Sequence, residues 1–306
     1  MMHDLLILGA GPAGLAAASY ALRKHLDVQL VARDLGGKTN LRVEFPDTQS
    51  HQVLRAHELV HGFKNTVEYL SHAHTIASAK SVTAHDGQVD LEVASDGGAS
   101  RTLSARCLIV ATGARPRPLR VPGETEFFGK ALGYSSISYS HTLAERRVFL
   151  VGDSQRTVDD ARELAWQAQE VVLLLHHAGR YESLYREQLA ELDNVTLIEG
   201  MQVSEFRGGE FCEAAVLTDP EGSEEIVEAD AFFVQLQPEP QSALVSEIVE
   251  TDPEGRIVVD MRNRTTRPGV FAAGDVTNVG FEQILIALGE GSKAALSAYQ
   301  YLMHRR

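Results

Sequence analysis

The chain has 306 residues, 44% hydrophobic and 23% charged, which gives an ordinary soluble composition with room for about two domains. Its 42 acidic residues outnumber 28 basic ones, and the formal charge of −14 repels nucleic acid and anionic membranes, so neither is expected as a partner. Cys107 and Cys212 stand far apart in no metal or redox spacing, so no disulfide framework is expected and a cytoplasmic setting fits.

The first apolar stretch, Leu5 to Leu22, superficially resembles a signal or membrane segment. No basic region precedes it, Asp4 sits at its edge, and Gly9, Gly11, Pro12 and Gly14 interrupt it. It reads instead as strand, tight turn and helix. Leu5–Leu8 is a short continuous apolar run, as in a strand buried on both faces of a parallel sheet. A helix is expected over Ala13–Lys24 and a second strand over Val28–Val31, which completes a βαβ unit in about 30 residues. Further strands are expected at Leu91–Val93 and Cys107–Val110. The opening plan then recurs: Val148–Val151 matches the first strand, Gly152 matches Gly9, a helix runs to about Ala168, and Val171–Leu175 matches the second strand. Arg256–Asp260 and Val270–Ala273 read as two more strands and Ile284–Leu302 as a closing helix. Proline-bearing linkers at Arg115–Pro122 and Leu236–Pro240 bracket the middle segment. The expected fold class is therefore α/β, with two Rossmann-like three-layer domains, the second inserted in the first. Residues 1–116 and 238–306 would form one domain, and residues 117–237 the inserted one.

Gly9-Ala-Gly11-Pro12-Ala13-Gly14 fits G-x-G-x-x-G between a strand and a helix. The first glycine allows the tight turn, the second lets the backbone approach a pyrophosphate, and the third lets helix and strand pack closely. The helix N-terminus supplies N–H groups and positive partial charge to the phosphates. The acidic residue usual at the end of the second strand is missing: Arg33 stands there, followed by Asp34.

Other motifs join this fingerprint in order along essentially the whole chain. Val110-Ala111-Thr112-Gly113-Ala114 matches the ATG motif of two-dinucleotide flavoproteins, and Thr265–Val276 matches their late FAD motif. Gly36-Gly37, followed by Lys38 and Thr39, and Gln283-Ile284 match the flavin contacts of one branch. The sequence thus resembles the thioredoxin reductase family. That resemblance implies FAD in the first domain, with Gly274 and Asp275 at the ribitol, Ala79 at the adenine, and a homodimer.

The sequence departs from the resemblance in three places. Where the family carries C-x-x-C, this chain has Ser135-Ser-Ile-Ser138, and serine forms neither a disulfide nor a thiolate. In the second nucleotide turn, Gly9, Gly11 and Gly14 correspond to Gly152, Ser154 and Thr157, with Asp153 adding negative charge beside a diphosphate. The H-R-R-x-x-x-R pattern that holds a 2′-phosphate reads His176-His177-Ala178, with Glu182 for the last arginine. NAD(P)H is therefore not expected to bind productively, and the electrons are expected from a protein donor such as ferredoxin or flavodoxin, or from direct substrate oxidation. Two alternatives stand beside this: a ferredoxin–NADP reductase-type enzyme, and a non-catalytic FAD-binding sensor. The catalytic residue is unassigned.

Three weaker patterns read as structural. His57-Glu-Leu-Val-His61 matches a zinc motif but has no third ligand, so no metal is expected and a solvated helix face is. Arg115-Pro-Arg-Pro-Leu-Arg120 is a local basic run that reads as a solvated interdomain linker, with attraction of an acidic electron carrier such as ferredoxin or flavodoxin as the alternative. Glu44-Phe-Pro46 falls where relatives place an asparagine near the flavin, and it reads equally as a surface turn.

Overall fold

A computed structural model describes residues 2–46, 55–69, 71–95, 98, 100–175 and 182–304. In chain order the elements begin with β1 (Met2–Leu8), α1 (Pro12–Arg23), β2 (Val28–Ala32), α2 (Arg55–Tyr69), β3 (His74–Ile76), β4 (Ser78–His85), β5 (Gln88–Ala94), β6 (Arg101–Val110) and β7 (Ala114–Arg115). The middle of the chain forms α3 (Glu124–Phe127), β8 (Leu132–Gly133), β9 (Arg147–Gly152), α4 (Gln155–Leu164), β10 (Glu170–Leu175), α5 (Glu182–Leu189), β11 (Val195–Ile198), β12 (Gln202–Gly208), β13 (Cys212–Thr218), β14 (Glu224–Glu228) and β15 (Ala231–Gln235). The chain closes with β16 (Glu239–Pro240), β17 (Val270–Ala272) and α6 (Ile284–Met303). Contacts divide it into two units, Met1–Asn40 with Val53–Arg115 and Glu239–Arg306, and Leu41–Gln52 with Pro116–Pro238.

The first unit is built on a sheet in the order β3-β2-β1-β6-β5-β4, with β17 also paired to β6. Along one edge the long β6 serves two partners in succession. Its first half runs antiparallel to β5, and its second half lies parallel between β1 and β17, with Leu8 opposite Val110 and Ala272 opposite Val110. Both faces are covered, which explains the unbroken apolar run of β1. Leu5 and Ile7 pack with the alanine-rich faces of α1 and α6, while Leu6 and Leu8 pack on the opposite side with Val89, Leu91 and Ile257. A one-residue slip would exchange these two sets, so the register is strongly specified. Small residues let the helices meet closely: a Cβ on Gly291 of α6 would lie 1.9 Å from the Ala13 carbonyl oxygen of α1.

The second unit has a five-stranded parallel sheet, β11-β10-β9-β15-β8, and an antiparallel sheet, β12-β13-β14. Its core gathers Phe149, Phe206, Phe232 and Phe233 with the valines and leucines of β9 and β10.

Three expectations change. Arg256–Asp260 is not a strand but a braced turn. The Asp252 carboxylate accepts the Glu254 and Arg256 N–H groups, and pairing shrinks to single bridges from Ile257 to Thr251 and Thr277. The helix after Gly152 ends at Leu164 instead of Ala168, because the chain then turns so that Gln169 can donate to the Arg146 carbonyl. Residues 41–46, expected with the first domain, group with the second unit, where buried Phe45 packs edge-on against Tyr139 and against Phe233. Glu44 goes with them, its N–H bonded to the Gly129 carbonyl and its carbonyl to the Ala131 N–H.

Candidate functional site

The first unit concentrates the predicted cofactor residues at the C-terminal ends of β1, β6 and β17, where an open parallel sheet presents ligand crevices. Gly9 ends β1 with φ +104°, and a Cβ there would lie 2.3 Å from the Ala111 carbonyl oxygen. Gly14 is equally constrained from within, since its Cβ would lie 1.8 Å from the Gly9 carbonyl oxygen. Gly11 differs from both. A Cβ there meets nothing within 4 Å, so its bare face opens onto free space. Gly11 is also the N-cap of α1 and makes no side-chain cap, Pro12 starts the helix, and no acidic residue stands in the first turn. The helix therefore presents uncapped N–H groups and the positive end of its dipole beside an open backbone face, which fits a diphosphate.

Two loops close around this turn. The Gly36 N–H donates to the Ala10 carbonyl (2.8 Å), and a Cβ on Gly37 would lie 3.1 Å from Gly11 Cα. Asp34 accepts the Gly37 N–H, and the Thr39 hydroxyl donates to the Gly36 carbonyl (2.8 Å). On the other side, the Ala111 N–H donates to Leu8, the Thr112 hydroxyl to the Gln241 carbonyl (2.6 Å), and Gly113 accepts from the Gln241 N–H. Gly274, at φ +78°, brings the chain so near α1 that its Cβ would lie 3.0 Å from Ala13 Cβ. Asp275 follows, and Gln283 is the N-cap of α6 with Ile284 its first residue.

Asp275 is not a lone turn carboxylate. Lys38 Nζ lies 2.5 Å from its Oδ2 and 2.8 Å from Glu282 Oε2, and both carboxylates are largely buried. Burial opposes the Lys38 charge, but the two carboxylates outweigh it and hold the ammonium pKa above its ordinary value. Sequence reasoning found Lys38 and Asp275 but missed Glu282. Lys38 and Glu282 lie 244 residues apart, and Glu282 carries no motif of its own beyond preceding Gln283.

Two predicted residues stand apart from this cluster. Arg33 is exposed at the end of β2. Ala79 pairs with Val93 at a bulge in β4, two residues beyond Ala77, whose N–H donates to the Ala32 carbonyl at the end of β2.

The equivalent turn in the second unit keeps the strand–turn–helix shape with different side chains. Ser154 is the N-cap of α4 and makes no side-chain cap. Thr157 takes the third-glycine position because Gly152 makes room for it: a Cβ on Gly152 would lie 2.0 Å from Thr157 Oγ1. That hydroxyl is buried and donates to the Gln235 carbonyl (3.1 Å). Asp153 accepts the Gln237 N–H (2.8 Å) and lies 3.6 Å from Arg117, so its charge is partly neutralised. The expected repulsion of a diphosphate by Asp153 is correspondingly weakened. Ser135 and Ser138, in the same unit, are bonded hydroxyl to hydroxyl at 2.9 Å.

Residues 3–291 match the pyridine nucleotide-disulphide oxidoreductase family. The chain belongs to that family. An alkyl hydroperoxide reductase protein of Pseudomonas aeruginosa is 34% identical over 98% of this chain and 58% of its own length. The NADH dehydrogenase of Bacillus subtilis is 31% identical over 98% of this chain and 58% of its own. The chain thus spans somewhat over half the length of these curated relatives. Among solved structures, thioredoxin reductase from Streptococcus pyogenes superimposes with a TM-score of 0.86 at 25% identity, over 99% of both chains.

This member of the family is a thioredoxin reductase-like, FAD-dependent oxidoreductase with the expected α/β fold. When bound, FAD supplies reversible electron transfer, and the protein's part is to hold and tune it. Gly11, the α1 N-terminus and Asp275 are the groups here that would hold it. The two cysteines of this oxidoreductase are buried and not joined in a disulfide, and burial pushes the Cys212 thiol up to about 12. His176–Ala178 lie outside the described residues, as does the His57 side chain of the zinc-like motif. Among the described residues no group of three or more His, Cys, Asp or Glu is arranged to hold a metal, and no helix is long and apolar enough to cross a membrane.

Proposed function

We propose that this FAD-dependent oxidoreductase exchanges electrons between its flavin and a donor or acceptor without an internal dithiol, and that NADPH is not its reductant. One observation carries this reading. The flavin turn keeps an open Gly11 and an uncapped helix, while the position of the family's cysteine pair holds two serines bonded to each other. A hydroxyl pair at that spacing has no two-electron redox chemistry. The replacement of the 2′-phosphate arginines by His176, His177, Ala178 and Glu182 removes charge-assisted hydrogen bonds worth roughly 1.5–3 kcal/mol each, and so acts against NADPH more than against NADH. A homodimer in the cytoplasm, reduced by a protein donor such as ferredoxin or flavodoxin, completes the proposal.

A second reading, NADH as donor, is favoured by the tethering of Asp153 to Gln237 and Arg117, which lifts part of the charge penalty at the second turn. Two relatives bearing the name NADH dehydrogenase support it. It also answers to the family, whose name includes the pyridine nucleotide.

Anaerobic titration of the flavin absorbance with NADPH, NADH and reduced ferredoxin separates these readings. The main proposal expects bleaching by ferredoxin and no rapid stoichiometric bleaching by NADPH. Rapid bleaching by NADH alone would establish the second reading, and bleaching by micromolar NADPH would overturn the first.

A further inference from the structure

The ion triad Lys38–Asp275–Glu282 does more than close a loop. We infer that Lys38 sets the reduction potential of the bound FAD by cancelling one of two buried carboxylate charges beside it; this rests on the reading that FAD occupies the first unit. Three observations support it. The Lys38 ammonium bridges both carboxylates at 2.5 and 2.8 Å, across segments that join only through folding. The carboxylates are only 14% and 16% exposed, so water screens them poorly. Asp275 is itself the residue that the family motif assigns to the ribitol, and Lys38 follows Gly36-Gly37, which the same resemblance places at the flavin ring. The triad is therefore part of the cofactor's own surroundings, with a net charge of one negative.

Two-electron reduction of FAD with uptake of one proton adds a negative charge to the ring. A second carboxylate nearby opposes that charge, and a cation favours it. Lys38 consequently makes the reduced state more accessible than the carboxylates alone would allow. It acts on the flavin as a tuning residue and need not exchange a proton with anything.

The sign of the effect is what distinguishes tuning from scaffolding. In purified holoprotein, Lys38→Gln strips the cation and is expected to make the flavin midpoint potential more negative. Glu282→Gln strips one anion and is expected to make it more positive. Lys38→Arg, which keeps the charge, is expected to stay near the wild type. Each charge change should alter the equilibrium constant for reduction on the order of tenfold or more. Equilibration with a reference dye under xanthine and xanthine oxidase gives the potentials, and FAD content comes from absorbance after heat release. Opposite shifts in Lys38→Gln and Glu282→Gln support the inference. Unchanged potentials in FAD-loaded variants, or shifts of the same sign, overturn it. Should Lys38→Gln fail to load, the sign of the Glu282→Gln shift decides. A wild-type protein that takes up no FAD instead ends the reading on which the inference rests.

Discussion

Gly11 and Gly14 are three residues apart and do different work, and this difference is testable with one methyl group. At Gly14 an added Cβ would meet the Gly9 carbonyl oxygen at 1.8 Å, so α1 must move off β1. Gly14→Ala is expected to cost about 3 kcal/mol or more and to lose FAD with the fold. Gly11 has an extended backbone, φ −70° and ψ −172°, which alanine adopts freely, and its Cβ meets nothing. Gly11→Ala is expected to leave apo stability unchanged or raised by about 0.5 kcal/mol, through a less flexible unfolded chain. FAD affinity should nevertheless fall about tenfold or more, because the methyl stands where the pyrophosphate approaches. Urea denaturation of the apo forms and FAD titration by flavin fluorescence check both halves. Equal FAD affinity in Gly11→Ala and wild type would place the cofactor elsewhere. The sequence announced these glycines because their roles are local. It could not announce Glu282, whose partner Lys38 lies at the far end of the chain.

At the scale of elements, α4 shows how a nucleotide-type turn is kept while its chemistry changes. Its inner face carries Thr157 against Gly152, and Asp160 one turn further accepts from Gln235 Nε2 at 2.5 Å. Gln235 in turn accepts from the buried Ser136 hydroxyl at 3.1 Å. Burial raises the Asp160 carboxyl to about 6, against the opposing pull of Arg156 and the Gln235 bond. A carboxyl whose pKa is higher folded than unfolded binds more protons in the folded state. Its contribution is fully present below the ordinary value of 3.8 and is lost as pH rises through about 6. Asp160→Asn keeps an acceptor for Gln235 and cannot ionise. The variant is expected to match the wild type near pH 4 and to exceed it by up to about 2 kcal/mol at pH 7, after allowance for partial screening. Denaturant unfolding at several pH values measures that difference, and parallel curves would show that Asp160 ionises unhindered. The helix and its strand were legible as a repeat of the opening unit. Thr157 in place of the third glycine looked like decay in the sequence, and only packing shows that Gly152 gives it room.

For the whole molecule, apolar runs buried on both faces made the parallel strands of the two main sheets readable. The turn at 252–260 and the allegiance of residues 41–46 were not, because side-chain bonds of Asp252 and the packing of Phe45 decide them. The net charge of −14 was readable at once and bears on the proposed protein donor. Ferredoxins and flavodoxins are acidic, so docking needs a local cationic patch or must overcome repulsion. The basic run Arg115–Arg120 is weakened as a patch, because Arg117 pairs with Asp153 and the Glu124 carboxylate lies against the backbone of Leu119 and Arg120. Repulsion should therefore govern encounter. Raising ionic strength from 0.01 to 0.15 M shortens the screening length from about 30 to about 8 Å, so the second-order rate of flavin reduction by ferredoxin is expected to rise. Stopped-flow measurements across that range test this, with an uncharged small-molecule oxidant of the reduced flavin as the salt-insensitive control. A rate that falls with salt would mean that a cationic surface steers the donor in, and alanine at Arg115 and Arg120 would then locate it.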